Sequence, residues 1–199
     1  MIAEGIAGWV SRIDERGNVV EASCFGLRGQ PALHSDGYAK WTAKFDARGN
    51  EIERSYFGLD GQPVLHRFGM HRRVAVFDVR GNEIESARFG RESEPVVNTN
   101  HYHRVRSRYN QHGLRTEQAW FGEEDKPVIN TDPELSAARV AWTYTPRGDV
   151  AEKARFGLDG KPINGSDGWA RELRNYDPDT GKLLNVKRFK ADGTALQEE

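Results

Sequence analysis

The stretch that decides the fold runs from Gly37 to His66 and reads GYAKWTAKFDARGNEIERSYFGLDGQPVLH. Residues Tyr38 to Asp46 alternate in polarity and are rich in aromatic side chains, which predicts a β-strand. Ala47-Arg48-Gly49 has the form of a three-residue hairpin loop, closed by a left-handed glycine and followed by a bulge. Glu51 to Phe57 then returns as the second strand of the hairpin.

A second turn follows this hairpin. Leu59-Asp60-Gly61-Gln62 has turn composition, and Pro63 to His66 fits a short third strand, because proline is tolerated at the first residue of a strand. The stretch therefore predicts two or three strands and no helix.

The same pattern recurs along all 199 residues, at steps of 32, 32, 32, 35 and 33 residues. A fixed period in this range indicates a repeat protein, in which each unit buries its apolar face on its neighbours. The repeated phenylalanines are Phe25, Phe57, Phe89, Phe121, Phe156 and Phe189, and the hairpin glycines are Gly17, Gly49, Gly81, Gly113, Gly148 and Gly181.

The period predicts an all-β fold of six tandem hairpin repeats of about 32 residues, forming an elongated or superhelical antiparallel sheet. We expect a single repeat domain over residues 1–199. A closed ring or six-bladed propeller is the alternative, although 32 residues is short for a four-stranded blade. The predicted units are 5–36, 37–68, 69–100, 101–135, 136–167 and 168–199.

Composition argues against several classes of partner. The chain has 29 basic and 30 acidic residues, so its overall charge predicts neither nucleic-acid binding nor membrane association. Its single cysteine excludes an intrachain disulfide and leaves the compartment open. The N-terminal residues lack the pattern of a signal peptide, and no apolar run is long enough to span a bilayer, so we expect a soluble chain.

The hairpin loop also predicts which side chains face each other. With Asp46 opposite Asn50, Phe57 lies opposite Ala39 on a buried face. The phenylalanines would then be buried, and Trp9, Trp41 and Trp142 largely so. The other face is expected to meet water, and it carries Cys24 and, in the second copy, Tyr38, Lys40, Thr42, Lys44, Ile52, Arg54 and Tyr56.

A column of glutamates falls on the predicted packed face, where a carboxylate requires a partner. A basic column at another repeat position can supply that partner from the neighbouring repeat. We predict structural ion pairs between repeats rather than catalysis, because the residues recur in every unit. The glutamates are Glu21, Glu53, Glu85, Glu117 and Glu152, and the basic residues are Lys40, Arg72, Arg104, Arg139 and Arg171.

The copies depart from their own pattern between Arg91 and Ser136. Copies three and four lose the glycine of the second turn, and a three-residue insertion precedes copy five, where Thr131 to Glu134 has the sequence of a capped helical turn. Loop drift is one explanation and a partner surface is the other. The candidate partner surface comprises Glu92, Glu94, Arg104, Arg106, Arg108, Glu123, Glu124, Asp125, Asp132 and Glu134.

No residue is assigned to catalysis, to a cofactor or to a metal. Cys24 has no base or orienting partner nearby in sequence, and His101 and His103 lack supporting cysteines or an HExxH-type spacing. His34 and His66 share a repeat position, which makes them part of the framework. We therefore predict a protein without enzymatic activity and without a cofactor.

The hairpin string resembles a known class of repeat. Phe45-Asp46-Ala47-Arg48-Gly49-Asn50-Glu51-Ile52 and Tyr176-Asp177-Pro178-Asp179-Thr180-Gly181-Lys182-Leu183 are similar to the YD repeats of bacterial RHS proteins and to MORN-type hairpin repeats. The resemblance covers about half of each unit. It implies a bacterial repeat module built hairpin by hairpin into a long curling sheet, of the kind that serves as a shell, a spacer or an interaction surface.

Two functions are compatible with this reading. The first is a non-enzymatic repeat module that presents an extended β surface to a protein partner or acts as a scaffold, as part of a larger bacterial protein. The alternative is a glycan-binding module that uses the exposed aromatic residues Tyr38, Tyr56, Trp120 and Trp169.

Overall fold

A computed structural model describes residues 6–196, so that Gly5, the expected first residue of the first repeat, lies outside the described residues. The chain divides into two compact units, Met1–Thr99 and Asn100–Glu199. Unit 1 contains β1 (Gly8–Ile13), β2 (Val19–Phe25), β3 (Lys40–Phe45), β4 (Glu51–Phe57), β5 (Arg72–Phe77) and β6 (Glu83–Phe89). Unit 2 contains β7 (Arg104–Tyr109), β8 (Arg115–Phe121), β9 (Arg139–Tyr144), β10 (Val150–Phe156), β11 (Arg171–Tyr176) and β12 (Leu183–Phe189).

The prediction of an all-β hairpin repeat is confirmed, since residues 6–196 form two antiparallel strands per repeat and no helix. In each unit the strands lie in the sheet in chain order. Shorter pairings join each hairpin to the next, as between β2 and β3 in unit 1 and between β8 and β9 in unit 2. Within each unit, consecutive hairpins therefore belong to one open sheet rather than to the separate blades of a propeller.

The predicted three-residue hairpin loop is confirmed in the second repeat. The Asp46 amide donates to the Asn50 carbonyl at 3.0 Å, and Gly49 has a φ of +86°. The Asp46 carboxylate accepts the amides of Arg48 and Asn50 at 2.8 and 3.0 Å and the Asn50 side-chain amide at 2.9 Å. This carboxylate fixes the loop, which explains why Asp, Gly and Asn recur together.

The predicted pairing across the hairpin is wrong by one residue. Phe57 lies opposite Lys40, not Ala39, because the pairing shifts between Phe45, opposite Glu51, and Lys44, opposite Glu53. The second strand therefore carries one extra residue, Ile52, as a β-bulge. Because successive side chains of a strand point to opposite faces, a single extra residue exchanges the faces.

The corrected pairing defines two faces, shown here for the second repeat. The ladder face carries Lys40, Thr42, Lys44, Glu53, Ser55 and Phe57, and the covered face carries Trp41, Ala43, Arg54 and Tyr56. On the second strand, the residues that the sequence assigned to water, Arg54 and Tyr56, thus lie on the more buried face, whereas the first strand keeps Trp41 and Ala43 on the buried face as predicted.

Several burial predictions change with the faces. Cys24 is buried instead of exposed, and all six repeated phenylalanines are only half-buried. Trp9, expected in the interior, is 40% exposed, whereas Trp41 and Trp142 are half-buried. A cation lies over most of the phenylalanine rings, for example Arg72 over Phe89 at 4.5 Å and Arg139 over Phe156 at 3.8 Å.

The segment after each hairpin covers the sheet instead of forming a full third strand. In the second repeat a single β-bridge joins Phe57 to Pro63, and the Val64 amide donates to the Tyr56 carbonyl at 3.1 Å. In unit 1 the buried core contains Tyr38, Tyr56 and Met70. In unit 2 it contains Val105, Trp120, Ala137 and Val140.

The predicted ion pairs between repeats are present within both units. In unit 1, Lys40 lies 3.8 Å from Glu21 and Arg72 lies 3.3 Å from Glu53. The corresponding pairs in unit 2 are Arg139–Glu117 at 3.1 Å and Arg171–Glu152 at 2.7 Å. Each joins the second strand of one hairpin to the first strand of the next.

Candidate interaction surface

The predicted charged surface separates into clusters that do not form a single site within either unit. In unit 2, Asp125 lies between two arginines, with Arg104 at 3.3 Å and Arg106 at 2.8 Å. Asp125 occupies the turn position at which other copies carry glycine, with a φ of +59°. This aspartate therefore neutralises much of the positive charge that Arg104 and Arg106 bring to the candidate partner surface.

The remaining charged positions of unit 2 are also engaged locally. Arg108 lies 3.6 Å from Glu117, which also binds Arg139. Glu124 pairs with Lys126, and Glu123 is exposed. These contacts are those of a solvated, ion-paired face.

In unit 1, Glu92 and Glu94 belong to a turn that has lost its glycine. The Glu94 carboxylate accepts the Glu92 amide at 2.8 Å, and Ser93 takes the left-handed conformation with a φ of +67°. Both glutamates are exposed.

The insertion in unit 2 forms the expected capped turn. The Asp132 carboxylate accepts the Glu134 amide at 2.9 Å, and the Asp132 carbonyl accepts the amides of Leu135 and Ser136 at 3.0 and 2.8 Å. Pro133 follows the cap, where its missing N–H costs nothing. The insertion is therefore an ordered turn.

A buried arginine fixes this turn to the sheet, although the sequence did not single it out. Arg155 is 1% exposed and donates to the carbonyl oxygens of Glu134 at 2.9 Å and Trp169 at 3.0 Å. Its guanidinium pairs with Asp167 and lies 3.7 Å from the centre of the Trp169 ring. The sequence placed this repeat position on the solvent face because the predicted strand register was wrong by one residue. The burial of Arg155 was therefore not predicted.

The aromatic residues proposed for glycan binding are not available at the surface. Tyr38, Tyr56, Trp120 and Trp169 are between 1% and 8% exposed. Burial raises the pKa of the Tyr38 hydroxyl to about 12. The bulge at Ile52 and its equivalent in β8 place Tyr56 and Trp120 on the covered face, and Tyr38 and Trp169 are buried in the segments before β3 and β11, so the expected aromatic platform does not exist.

The structure reveals a surface feature that the sequence analysis missed. Leu33, Leu65 and Val97 occupy the same position in three successive repeats of unit 1, two residues after the bridging proline. They are 49%, 43% and 42% exposed. We call these three residues the apolar row. Their spacing is about 10 Å, because two strands about 4.8 Å apart separate one repeat from the next.

Further apolar surface lies beside the row. Phe68 is 57% exposed, and a groove of about 560 Å³ has Phe68, Met70 and Val97 among its lining residues. Single exposed apolar residues need no explanation, whereas contiguous exposed apolar surface is typical of interaction sites. In unit 2 the same position carries half-buried Ile129 and exposed Asn164, so the series is not continued there.

A second cluster of unit 1 contains titratable side chains. Oδ2 of Asp36 lies 3.3 Å from both Nδ1 of His34 and Nε2 of His66, and its Oδ1 lies 3.2 Å from Nε of Arg67. Nearby Cys24 is buried, and burial raises the pKa of its thiol, which disfavours the thiolate that a nucleophile needs.

Two further features concern metals and membranes. Within residues 6–196, no three His, Cys, Asp or Glu side chains are grouped so that they could hold a metal ion, and His103 is buried while His101 is exposed. Across the same residues, no helix has the length and apolar character needed to cross a membrane.

Comparison with known proteins gives a distant likeness in fold only. Neither a protein-family model nor a curated protein matches the sequence. Similar solved structures include a chain of the Tc holotoxin pore of Photorhabdus luminescens, with 12% identity and a TM-score of 0.38 over 92% of this chain and 10% of that one. Another is a chain of the TcdB2–TccC3 crystal structure, with 14% identity and a TM-score of 0.33 over 93% and 11%.

This chain thus spans about a tenth of the length of those chains. At such scores the likeness assigns neither a family nor an activity. The observed strands and their order define an all-β hairpin-repeat module.

Proposed function

We propose that this chain is a non-enzymatic repeat module that binds a protein partner through the apolar row of unit 1. The observation that carries the proposal is the regular exposure of Leu33, Leu65 and Val97 at one repeat position. Repeats place equivalent side chains at constant spacing, which suits them to bind an extended partner.

The framework around the row supports a scaffolding role. Hairpin loops fixed by aspartate side chains and ion pairs between repeats hold the row's spacing without a deep central core. In contrast, the charged positions of unit 2 are largely engaged with each other. We therefore locate the partner surface on the apolar row, and we propose that the module works as part of a larger bacterial protein.

The test is a comparison of affinity-purified complexes from cells that naturally produce the chain. Replacing all three residues of the row by serine should abolish recovery of the partner, because each replacement removes exposed apolar area from the interface. The matched control replaces Ile13, Val76 and Val79 by serine, since these residues of the same unit are exposed but lie outside the row.

We expect a protein recovered with the unaltered chain and the control in equal amounts, and reduced at least tenfold with the row variant. Circular dichroism verifies that both variants keep the β-sheet. Equal recovery with the row variant, or no protein enriched over a tag-only sample, would refute the proposal.

A further inference from the structure

Two successive loops of unit 1 are joined through one carboxylate. Asp36, in the loop before β3, faces His34 of its own loop and His66 and Arg67 of the next. The Asp36 carbonyl also accepts the Arg67 amide at 2.9 Å. The residues that follow the first two members of the apolar row, Leu33 and Leu65, are the two histidines.

Both histidines use a ring nitrogen as a hydrogen-bond acceptor. Nδ1 of His34 accepts the Asp36 amide at 3.2 Å, and Nδ1 of His66 accepts the Phe68 amide at 3.3 Å. In unit 2, Asn130 stands at the same repeat position, and its side-chain oxygen accepts the Asp132 amide at 2.8 Å. An acceptor side chain is thus present at this loop position in the first, second and fourth repeats, and histidine supplies it only while Nδ1 carries no proton.

The surroundings of His66 disfavour its charged form. Its ring lies 4.6 Å from Tyr56, 5.8 Å from Tyr38 and 5.0 Å from Phe68, measured between ring centres. Burial lowers the pKa of His66, and the attraction of Asp36 works against this shift. The titratable and charged groups around the cluster are His34, Asp36, Tyr38, Arg54, Tyr56, Arg67 and Cys24.

We propose that His66, held against Asp36 of the preceding loop, is the proton-sensitive part of a clasp that holds the two loops while this ring is neutral and releases them when it is protonated. A proton on Nδ1 of either ring removes the acceptor of an amide two residues later. Acid should thus loosen the loop that carries Leu65 and its attachment to the loop that carries Leu33.

Proton linkage determines whether acid strengthens or weakens the clasp. The open loop binds a proton at the ordinary histidine pKa of about 6.5, whereas closed His66 binds it only at lower pH. The clasp is therefore strongest above pH 6.5 and weakens as the pH falls from there toward the lowered pKa. If one proton is taken up on opening, the opening equilibrium rises about tenfold per pH unit in that window.

Amide hydrogen exchange of the full chain, followed by NMR between pH 7.5 and 5, tests the clasp directly. After correction for intrinsic exchange, the Phe68 amide should open more with acid, by up to about tenfold per pH unit. The double variant His34→Asn, His66→Asn keeps an acceptor, as Asn130 does, and should show no such dependence. His112→Asn, an exposed histidine of unit 2, is the control and should retain it.

A pH dependence that persists in the double variant would overturn the proposal. Imidazole nitrogen shifts of the unaltered chain give a second criterion that needs no variant. They should show both rings with the proton on Nε2 at pH 7.5, and His66 titrating below 6.5. A proton on Nδ1 would also overturn the clasp. Any effect of the clasp on partner binding rests on the proposed function. These measurements involve no partner, so the clasp and the proposed function can each be refuted without the other.

Discussion

At the scale of single residues, the molecule depends on three left-handed backbone positions in each of the first five repeats. One closes the hairpin loop, one closes the second turn and one precedes the next hairpin, as Gly49, Gly61 and Gly69 do in the second repeat. The exceptions to glycine within residues 6–196 are Ser93, His101, Asp125 and Ser136, and all four keep a positive φ. The turns are thus retained where the sequence pattern breaks.

The Ser93→Gly substitution should stabilise the chain. A side chain at a φ of +67° is strained, and its relief outweighs the extra freedom of glycine in the unfolded state. We expect a gain of about 0.5–1 kcal/mol in the free energy of unfolding, measured with urea. The reverse change in the equivalent turn, Gly61→Ser, should cost about 1 kcal/mol. A loss for Ser93→Gly would contradict the conformational explanation.

The hairpin-loop aspartates should make the fold sensitive to acid. Hydrogen bonds from Asn18, Asn50 and Asn82 lower the pKa of Asp14, Asp46 and Asp78 below 3.8. Because the folded pKa is lowered, this stability is complete well above pH 3.8 and is lost as the pH falls through the folded pKa.

Carboxyl carbon shifts measured by NMR between pH 6 and 2 give the midpoints directly. We expect all three aspartates to titrate below 3.8, and Asp46 to return toward that value in an Asn50→Ala variant. A normal midpoint for Asp46 in the unaltered chain would show that the loop hydrogen bonds do not form in solution.

At the scale of secondary-structure elements, neighbouring hairpins are joined by ion pairs in a repeated position. Glu53 of β4 contacts Arg72 of β5, and it also lies 2.8 Å from Lys44 within its own hairpin. A double-mutant cycle with Glu53→Gln and Arg72→Gln should give a coupling of about 0.5–1 kcal/mol, as for partly exposed pairs. Salt should reduce the coupling, and a coupling of zero at low salt would show that the pair does not join the repeats.

A buried arginine joins the insertion turn to the sheet in unit 2. Arg155→Met should cost about 2–4 kcal/mol, because it removes two hydrogen bonds to the carbonyl oxygens of Glu134 and Trp169 and takes away the cation that pairs with Asp167. Lys153→Met is the matched control, since Lys153 also reaches the Glu134 carbonyl but is only half-buried. Thermal and urea unfolding of both variants measure the difference, and equal losses would contradict the anchoring role of Arg155.

The sequence predicts the hairpin loops correctly but not the strand register or the apolar row. The loop residues Asp46, Gly49 and Asn50 identify each hairpin, because their side chains and backbone alone determine the turn. The bulge at Ile52 has no recognisable sequence pattern, because the aromatic residues Tyr56 and Phe57 lie on opposite faces of the strand and either one could face the core. That one residue decides whether Tyr56 or Phe57 is buried. The apolar row was missed for a different reason, because exposure in a loop follows no strand alternation.

At the scale of the whole molecule, the repeats share one structural framework, and a few residue positions differ from one repeat to another. The apolar row occurs in the three repeats of unit 1, and the histidine clasp joins only its first two loops. The departures that the sequence marks as candidate sites, such as Asp125 and Asp132, mostly complete turns and ion pairs of the framework. We therefore propose that a partner binds at a regular feature of the repeats.

Site-specific photo-crosslinking in the native cells tests this assignment most directly. A photoreactive amino acid is placed in turn at Leu33, Leu65 and Val97, and at the exposed control positions Ile13, Val76 and Val79 of the same unit. The account predicts that all three row positions crosslink to one and the same protein and that the controls do not. No adduct at the row, or the same adducts at the controls, would contradict it.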